Sequence, residues 1–500
     1  MITKYFDFLF ENKRIKMKLD LPQDIYDIKK EYDKNGKKLY VVGGCVRDFV
    51  QKLQPHDIDL VTDALPEESI NFLKDKFKVS NEQGKSFGVI RVYTESEPLG
   101  YEIATFRRDL SKGRDTKGEG QKVEMGKHIT IEDDVNRRDF KMNALFYDID
   151  NEEVIDLVGG LDDIENNRVS AVGEPEKRFE EDRLRLLRLI RFSIRNLSEI
   201  DKKTSDAVIR DHRLRNISEI DDVSQERIYD EFKKSVDWCQ AHDNYKSLTY
   251  YFELLKKYSL FEEMFPDVKI DIDNIKSFNL SIIFALLFRD NNTLDLSNKL
   301  RDFKIPNNIS DKILFLIDLK NNIENIEKIP ELNKKRKQIN IENSVIKEYL
   351  DYFSLDKKYI NCFLKYNPII KGEELLSQGI KGIEIGKEIR KREIAEFKKL
   401  LNESVTTKDL EIDDYVIGED ECEDMLLNNI LFNNIGQIIG FDKNNTVNVK
   451  YDRDVIKIVS DIKPMNIYEN YYIFYECEIK YCSKNKEDLQ QIIDANKFGL

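Results

Sequence analysis

Two aspartates, Asp57 and Asp59, stand two positions apart in HDIDLVTD (56–63), a segment that reads as a strand. Side chains alternate across a strand, so both carboxylates leave the same face. Carboxylates held that close repel each other unless a cation lies between them. Mg²⁺ prefers oxygen ligands and takes one or two carboxylates together with phosphate oxygens. Two-metal sites of this sort activate a hydroxyl and steady a leaving pyrophosphate during in-line phosphoryl transfer. An isolated Asp-x-Asp is explained as well by a solvated strand edge or turn, so the neighbouring residues decide.

The segment GGCVRD (43–48) precedes the pair and follows the short apolar run LYVV (39–42). That order reads as a buried strand, a tight turn and a helix. Glycines let a backbone approach a ligand, and a helix N-terminus favours an anion. Gly44 lies at this turn, and Arg47 falls in the first helical turn, within reach of a triphosphate. Strand, Gly-Gly, helix with Arg, then Asp-x-Asp on the next strand is far more specific than either piece alone.

The elements that must hold these residues follow from the pattern. Residues 1–35 read as a helical lead-in. CVRDFVQKL (45–53) has helical periodicity, and SFGVIRVY (86–93) and YEIATF (101–106) alternate like strands. From about 160 to 400 the pattern turns helical, with FEEDRLRLLRLIRFSIRNL (179–197) as its strongest helix. Strand patterns return in TVNVKY (446–451), VIKIV (455–459) and YYIFYECEIKYC (471–482). The expected fold class is α+β. Residues 1–155 read as a mixed α/β head with a small sheet, 156–240 as a helical neck, 241–410 as a helical body and tail, and 411–500 as a strand-rich accessory region. Tyr471, Tyr472, Phe474 and Tyr475 in that last region suggest packing first and binding second.

The chain has 500 residues and a net charge of −14, which argues against coating nucleic acid through an overall field and directs attention to local basic grooves. Six cysteines without a CxxC pair make neither a disulfide framework nor a zinc site, and reduced thiols in a cytoplasmic setting fit best. No apolar run is long enough for a membrane span, and MITKYFDFLFENKRIK reads as no signal peptide. His242-Asp243 suggests a phosphohydrolase motif, but four histidines are too few for its usual metal set. His56 reads as shaping the strand entry.

GGxVRD followed by DxD resembles the head of the class II CCA-adding enzymes and bacterial poly(A) polymerases, within the DNA polymerase β-like nucleotidyltransferase superfamily. NRRDFKMNALFYD (136–148) is similar to that family's RRDFTxNA motif, EDRLRLLRLIRF (181–192) to its EDxLRxxRxxRF motif, and SQERIYDEFKK (224–234) to its ERxxxE helix. The resemblance is strong over about 40–235, thin to about 400, and rests there on QGIKGIEIGKEI (378–389). Lys141 stands where the family usually has Thr. Phe140 and Met142 read as packing residues.

The resemblance implies addition of CMP and AMP from CTP and ATP to the 3′ end of tRNA, with Mg²⁺ on Asp57 and Asp59 and no nucleic-acid template. It implies that Arg138 and Asp139 contact phosphate and ribose, that Glu102 is a third acid near the pair, and that Asp182, Arg185, Arg188 and Arg191 line the nucleotide pocket. Asp182 and Arg185 read as neighbours on one helix. A carboxylate accepts from the exocyclic amines of cytosine and adenine, and a guanidinium donates to the adjoining ring positions. Such a pair opposes U and G. Arg185, Arg188, Arg191 and Arg195 share one side of that helix, and Leu186, Leu187, Ile190 and Ile194 the other. Gly113, Arg114, Gly118 and Gly120 read as a mobile loop, which in the family helps the change from C to A. Lys334, Lys335, Arg336 and Lys337 read as a basic loop facing the tRNA backbone or solvent.

Three alternatives stay open: a poly(A) polymerase, an enzyme adding only CC or only A, and a catalytically silent RNA-binding protein. KSFGVIRVY (85–93) resembles the CCA type rather than the arginine-rich stretch of poly(A) polymerases.

Overall fold

In the computed structural model, the described residues are 13–55, 57–80, 88–109, 123–126, 128–214, 223–272, 275–368, 370 and 372–403, together with six strands between 415 and 483. The chain divides into two compact units, Met1–Asn307 and Asn308–Leu500. This division is coarser than the four parts read from the sequence, and it falls inside a run of helices where composition does not change.

The first unit is built on strands β1 (Lys13–Lys16), β2 (Leu39–Val42), β3 (Leu60–Thr62), β4 (Lys78–Ser80), β5 (Val89–Tyr93) and β6 (Tyr101–Thr105). Strands β7 (Arg107–Asp109) and β8 (Val123–Met125) make a separate two-stranded ribbon, and β9 (Phe146–Asp148) and β10 (Glu153–Asp156) rejoin the main sheet. That sheet runs β1-β10-β9-β2-β3-β6-β5-β4. Every neighbouring pair is antiparallel except β3 with β6.

Helices α1 (Gln23–Lys34), α2 (Gly44–Val50) and α3 (Pro66–Leu73) fall between these strands. Alternation sorts the strand residues between two cores. Val41, Leu60, Ile90 and Ile103 pack with Ile25, Ile28 and Tyr32 of α1 and Leu73 of α3. Tyr40, Val42, Val61, Phe146 and Ile155 pack on the opposite face with Phe106, Ile129, Val135 and Val172.

The sheet is followed by α4 (Ile131–Asn136), α5 (Gly160–Glu165), α6 (Pro175–Glu181), α7 (Arg185–Ser193), α8 (Lys202–Arg210) and α9 (Gln225–Ala241), counting α4 before β9 in the chain. Buried Asp156 closes the entry to α5. Its Oδ1 accepts from the backbone N–H groups of Val158, Gly159 and Gly160, and its Oδ2 from that of Leu161. Three of these donors, on Gly159, Gly160 and Leu161, are ones that the helix start leaves unpaired, and one carboxylate satisfies them.

In the second unit, helices between Asn307 and Glu403 precede a six-stranded antiparallel sheet. In that sheet the strand Tyr415–Gly418 pairs with Ile479–Ser483.

Several sequence expectations change. The lead-in is not wholly helical, because Lys13–Lys16 is an edge strand pairing with β10. HDIDLVTD is a strand only from Leu60, so Asp57 and Asp59 lie in its entry. The helix expected over 179–197 is three pieces: α6 ends at Glu181, Asp182 is extended (φ −153°, ψ 105°), and α7 runs into a short 3-10 turn at Ile194–Asn196. The basic run 334–337 lies on the helix Ile329–Ile339, not in a loop. There Arg336 donates to the carbonyls of Phe363 and Tyr366, both at 2.9 Å, and Lys335 to Asp318 at 2.9 Å. Two of the four cations thus hold the second unit together. The 113–120 loop and VIKIV lie outside the described residues.

A Cβ on Gly160 would meet the Lys141 carbonyl oxygen at 2.2 Å. Gly160→Ala should therefore cost about 2 kcal/mol or more, since backbone on both sides resists the move. Gly386 in the helix Ile383–Glu403 has open space around its Cβ position. Gly386→Ala should stabilise by up to about 1 kcal/mol. Urea unfolding midpoints of the two variants should shift in opposite directions.

Candidate active site

Strand pairing brings the acids together. Val41 pairs with Leu60 and Leu60 with Ile103. The backbone N–H of Val42 donates to the Asp59 carbonyl at 2.9 Å. One step before Leu60 is Asp59, and one step before Ile103 is Glu102. The parallel register therefore sets these two carboxylates side by side on the face that also carries Val61 and Ala104. The Gly43–Gly44 turn directly follows Val42 at the same end of the sheet. Asp57 precedes Asp59 by two residues in the same entry.

Gly43 has φ 86° and ψ −137°, a conformation that side-chain-bearing residues rarely adopt. Its backbone N–H donates to the Leu145 carbonyl at 2.9 Å, which ties the turn to β9. A Cβ here would lie 3.5 Å from Nη1 of Arg138. Arg138 is held by Asp134, which accepts from its Nε at 3.1 Å and its Nη2 at 2.9 Å, and it covers the Phe146 ring at 5.1 Å. Burial alone would raise the Asp134 carboxyl, but Arg138 and Arg137 outweigh it and hold the group below its ordinary value.

Water reaches both Asp57 and Asp59. Protein nonetheless surrounds Asp59 closely enough that desolvation, then the charge of Glu102 and that of Asp57, lift its carboxyl to about 6, against the opposing pull of Arg138. The site thus carries more negative charge than it neutralises. Glu102 is paired across the strands with Arg91. Among the described residues no cluster of three His, Cys, Asp or Glu side chains is arranged to cage a metal. Asp57 and Asp59 fit a hard cation that completes its shell with phosphate oxygens and water.

Around Phe192 of α7 lies a second concentration of charge, of opposite sign. The guanidinium carbons of Arg47, Arg188, Arg191 and Arg195 lie 5.6, 5.4, 4.4 and 5.1 Å from the centroid of the Phe192 ring. Three of the four have carboxylate partners. Arg47, its side chain 3% exposed, donates to Asp48 at 2.9 and 2.6 Å and to Oδ1 of Asn143 at 2.5 Å. Arg188 donates to Oδ2 of Asp139 at 2.8 and 2.6 Å. Arg191 donates to Glu231 of α9 at 2.6 Å. Burial would raise Asp139, but Arg188 overcomes it and holds the carboxyl below its usual range.

The expected base-reading residues are both engaged. Asp182 accepts from Arg227 of α9 at 2.8 Å and from the Leu184 N–H at 3.1 Å. Arg185 donates to Glu181 at 2.7 Å and to the carbonyls of Arg178 and Arg137 at 3.0 and 2.9 Å. They are not neighbours on one helix, because Asp182 interrupts it. Asp139 and Arg188, each expected to meet the nucleotide, meet one another. Asn143, Phe192, Arg227 and Glu231 were not singled out from the sequence. The RLIRF and ERIYDE segments carried the signal for three of them.

Residues 39–170 match the family described as the poly A polymerase head domain. A CCA-adding enzyme of Lactobacillus helveticus is 36% identical over 40% of this chain and 46% of its own length. One from Staphylococcus saprophyticus is 28% identical over 68% of this chain and 78% of its own. The chain thus spans about half the length of the first of these relatives. In structure, a Thermotoga maritima CCA-adding enzyme complexed with tRNA is similar at a TM-score of 0.53, with 18% identity, over 77% of this chain and 95% of the other.

The raised Asp59 carboxyl sets a pH test. Its folded value of about 6 exceeds the ordinary 3.8, so ionised Asp59 opposes folding fully above pH 6, and the penalty fades between 6 and 3.8. In metal-free buffer, Asp59→Asn should raise the melting temperature at pH 7.5, and the gain should vanish near pH 3.8. Paired thermal melts across that range check it.

Proposed function

We propose, from the chain's similarity to CCA-adding enzymes and bacterial poly(A) polymerases, that it adds CMP and AMP from CTP and ATP to the 3′ end of tRNA without a nucleic-acid template. The observation that carries this reading is the register that sets Asp59 beside Glu102 at the sheet end that also holds the Gly43–Gly44 turn. Carboxylates crowded at one strand entry, next to a turn open to a ligand, suit transfer to a phosphorus centre.

Asp57 and Asp59 would hold Mg²⁺, which when bound neutralises phosphate charge and makes the RNA 3′-hydroxyl a better nucleophile. The chain's own residues do the rest. Gly43, lacking a Cβ, leaves room for the phosphates beside Arg138, and Asp134 fixes that guanidinium from behind. Glu102 stands as the third acid at the same strand end. Asp139, anchored to Arg188, is the group that would meet the ribose 2′-hydroxyl. Arg47, Arg188 and Arg191 supply positive charge for the triphosphate. The hydroxyl attacks the α-phosphate, and pyrophosphate leaves on the arginine side.

Asp182 and Arg185 would choose the base. Arg227 holds the Asp182 carboxylate in position, and the carbonyls of Arg137 and Arg178 hold Arg185 in place. Selection by fixed side chains requires no template strand. A cytoplasmic setting suits the reaction, and the described cysteines Cys45, Cys239 and Cys362 are buried. Among the described residues no helix is long and apolar enough to cross a membrane.

The head-domain family description also favours a second reading, a poly(A) polymerase. Supplying each nucleotide alone and in pairs to a tRNA lacking CCA, then sequencing the ends, separates full, partial and poly(A) activity. Three added nucleotides, C, C and A, are expected. Asp59→Ala should lower incorporation by on the order of 10³-fold. Asp182→Ala should lose about tenfold or more of the preference for CTP over UTP. Extension by Asp59→Ala at the parent rate would overturn the assignment, and Mg²⁺-independent RNA binding alone would indicate a silent binding protein.

A further inference from the structure

Four guanidiniums around one phenyl ring need anions. Since all four Cζ atoms lie within 5.6 Å of the Phe192 centroid, every pair of them is closer than twice that distance. Asp48, Asp139 and Glu231 answer three of them. Arg195 has no ion pair among the described residues, and its buried Nε has no hydrogen-bond partner. A buried guanidinium N–H left unpaired is costly, and an anion that reaches this group would remove that cost.

We propose that Arg195 binds the terminal phosphates of the incoming nucleotide, and the pyrophosphate split from it, as the uncompensated member of this arginine ring. This inference rests on the reading of the chain as a nucleotidyltransferase and adds to it a residue that the paired arginines conceal. Arg47, Arg188 and Arg191 each commit part of their donors to Asp48, Asn143, Asp139 and Glu231 and have their charge partly balanced there. Arg195 retains its fork, which matches two phosphate oxygens at once. Its neighbours make the case stronger. Burial, then the charges of Arg47 and Arg191, pull Arg195 down to about 9, so it remains a cation at neutral pH but an unfavourable one. A polyanion that enters the ring relieves that repulsion. A nucleoside without phosphates does not.

The ring also explains why Phe192 is buried at the centre of a cationic site. Its face is a weak anion surface for four guanidiniums and occupies space that water would otherwise fill. Arg195 sits one turn beyond Arg191, past the end of α7 in the Ile194–Asn196 turn, so it can extend the row without disturbing the helix.

The test uses the full chain with inorganic pyrophosphate and tripolyphosphate, followed by calorimetry in metal-free buffer. Arg195→Met should weaken binding of both by about tenfold or more, the loss expected for a charged hydrogen-bonded contact. Arg210→Met removes the same charge from an exposed arginine paired with Glu176 and should leave binding within about twofold. Where Arg195→Met does not fold, Arg195→Gln gives the same readout. Pyrophosphate affinity unchanged in a folded Arg195 variant, or equally reduced in Arg210→Met, overturns the proposal. Nucleotide incorporation by the parent protein is scored separately. Absence of incorporation with Arg195-dependent pyrophosphate binding contradicts the enzymatic reading and leaves the anion site standing. Incorporation with Arg195-independent binding does the reverse.

Discussion

The rest of the structure depends on like charges that are held together. At one end of the sheet, the parallel pairing of β3 with β6 fixes Asp59 beside Glu102, with Asp57 two residues before. Neither the strand entry nor the register can relax without breaking ladder hydrogen bonds and turning buried side chains such as Leu60 and Ile103 out of their core. The fold therefore bears an electrostatic cost, visible in the raised Asp59 carboxyl. Stabilising interactions elsewhere offset it: two apolar cores on either face of the sheet, and the Asp156 cap on α5.

The neck repeats the arrangement with the opposite sign. Arginines crowd around Phe192, and carboxylates from the head (Asp48, Asp139) and from α9 (Glu231) balance most of them. These ion pairs do two things at once. They fasten α7 to the head and to α9, and they fix guanidinium directions before any ligand arrives. Preorganised cations together with a preorganised anionic edge are what a reaction that moves a polyphosphate requires.

Much of this was legible in the sequence, and the failures have physical causes. The continuous apolar run of LYVV, ended by Gly-Gly, and the alternation of YEIATF place their strands closely. Spacing picks out Asp57 and Asp59, but HDID keeps the alternation although the strand runs only over Leu60–Thr62, with the Asp59 carbonyl as its first contact to β2. The helix over 179–197 was read as continuous because its Leu and Arg positions keep helical spacing through Asp182. Spacing does not record that Asp182 adopts an extended backbone and takes the Leu184 N–H onto its own carboxylate, a local bond that competes with the helix. The partners Asn143, Glu231 and Arg227 are distant in sequence, and no local pattern announces a long-range ion pair. Lys335 and Arg336 looked like loop cations because charge alone does not say whether a guanidinium caps a neighbouring helix, as Arg336 does at Phe363 and Tyr366.

The central claim is that Asp57 and Asp59 converge on one cation at the sheet end next to the Gly43 turn. A crystal of the protein grown with Mn²⁺ and a non-reacting CTP analogue tests it most directly by anomalous scattering. A peak bonded to oxygens of both carboxylates and of the nucleotide phosphates, at roughly 2–2.3 Å, is expected. A peak bound elsewhere, or side chains of Asp57 and Asp59 turned to opposite sides of the chain, would contradict it.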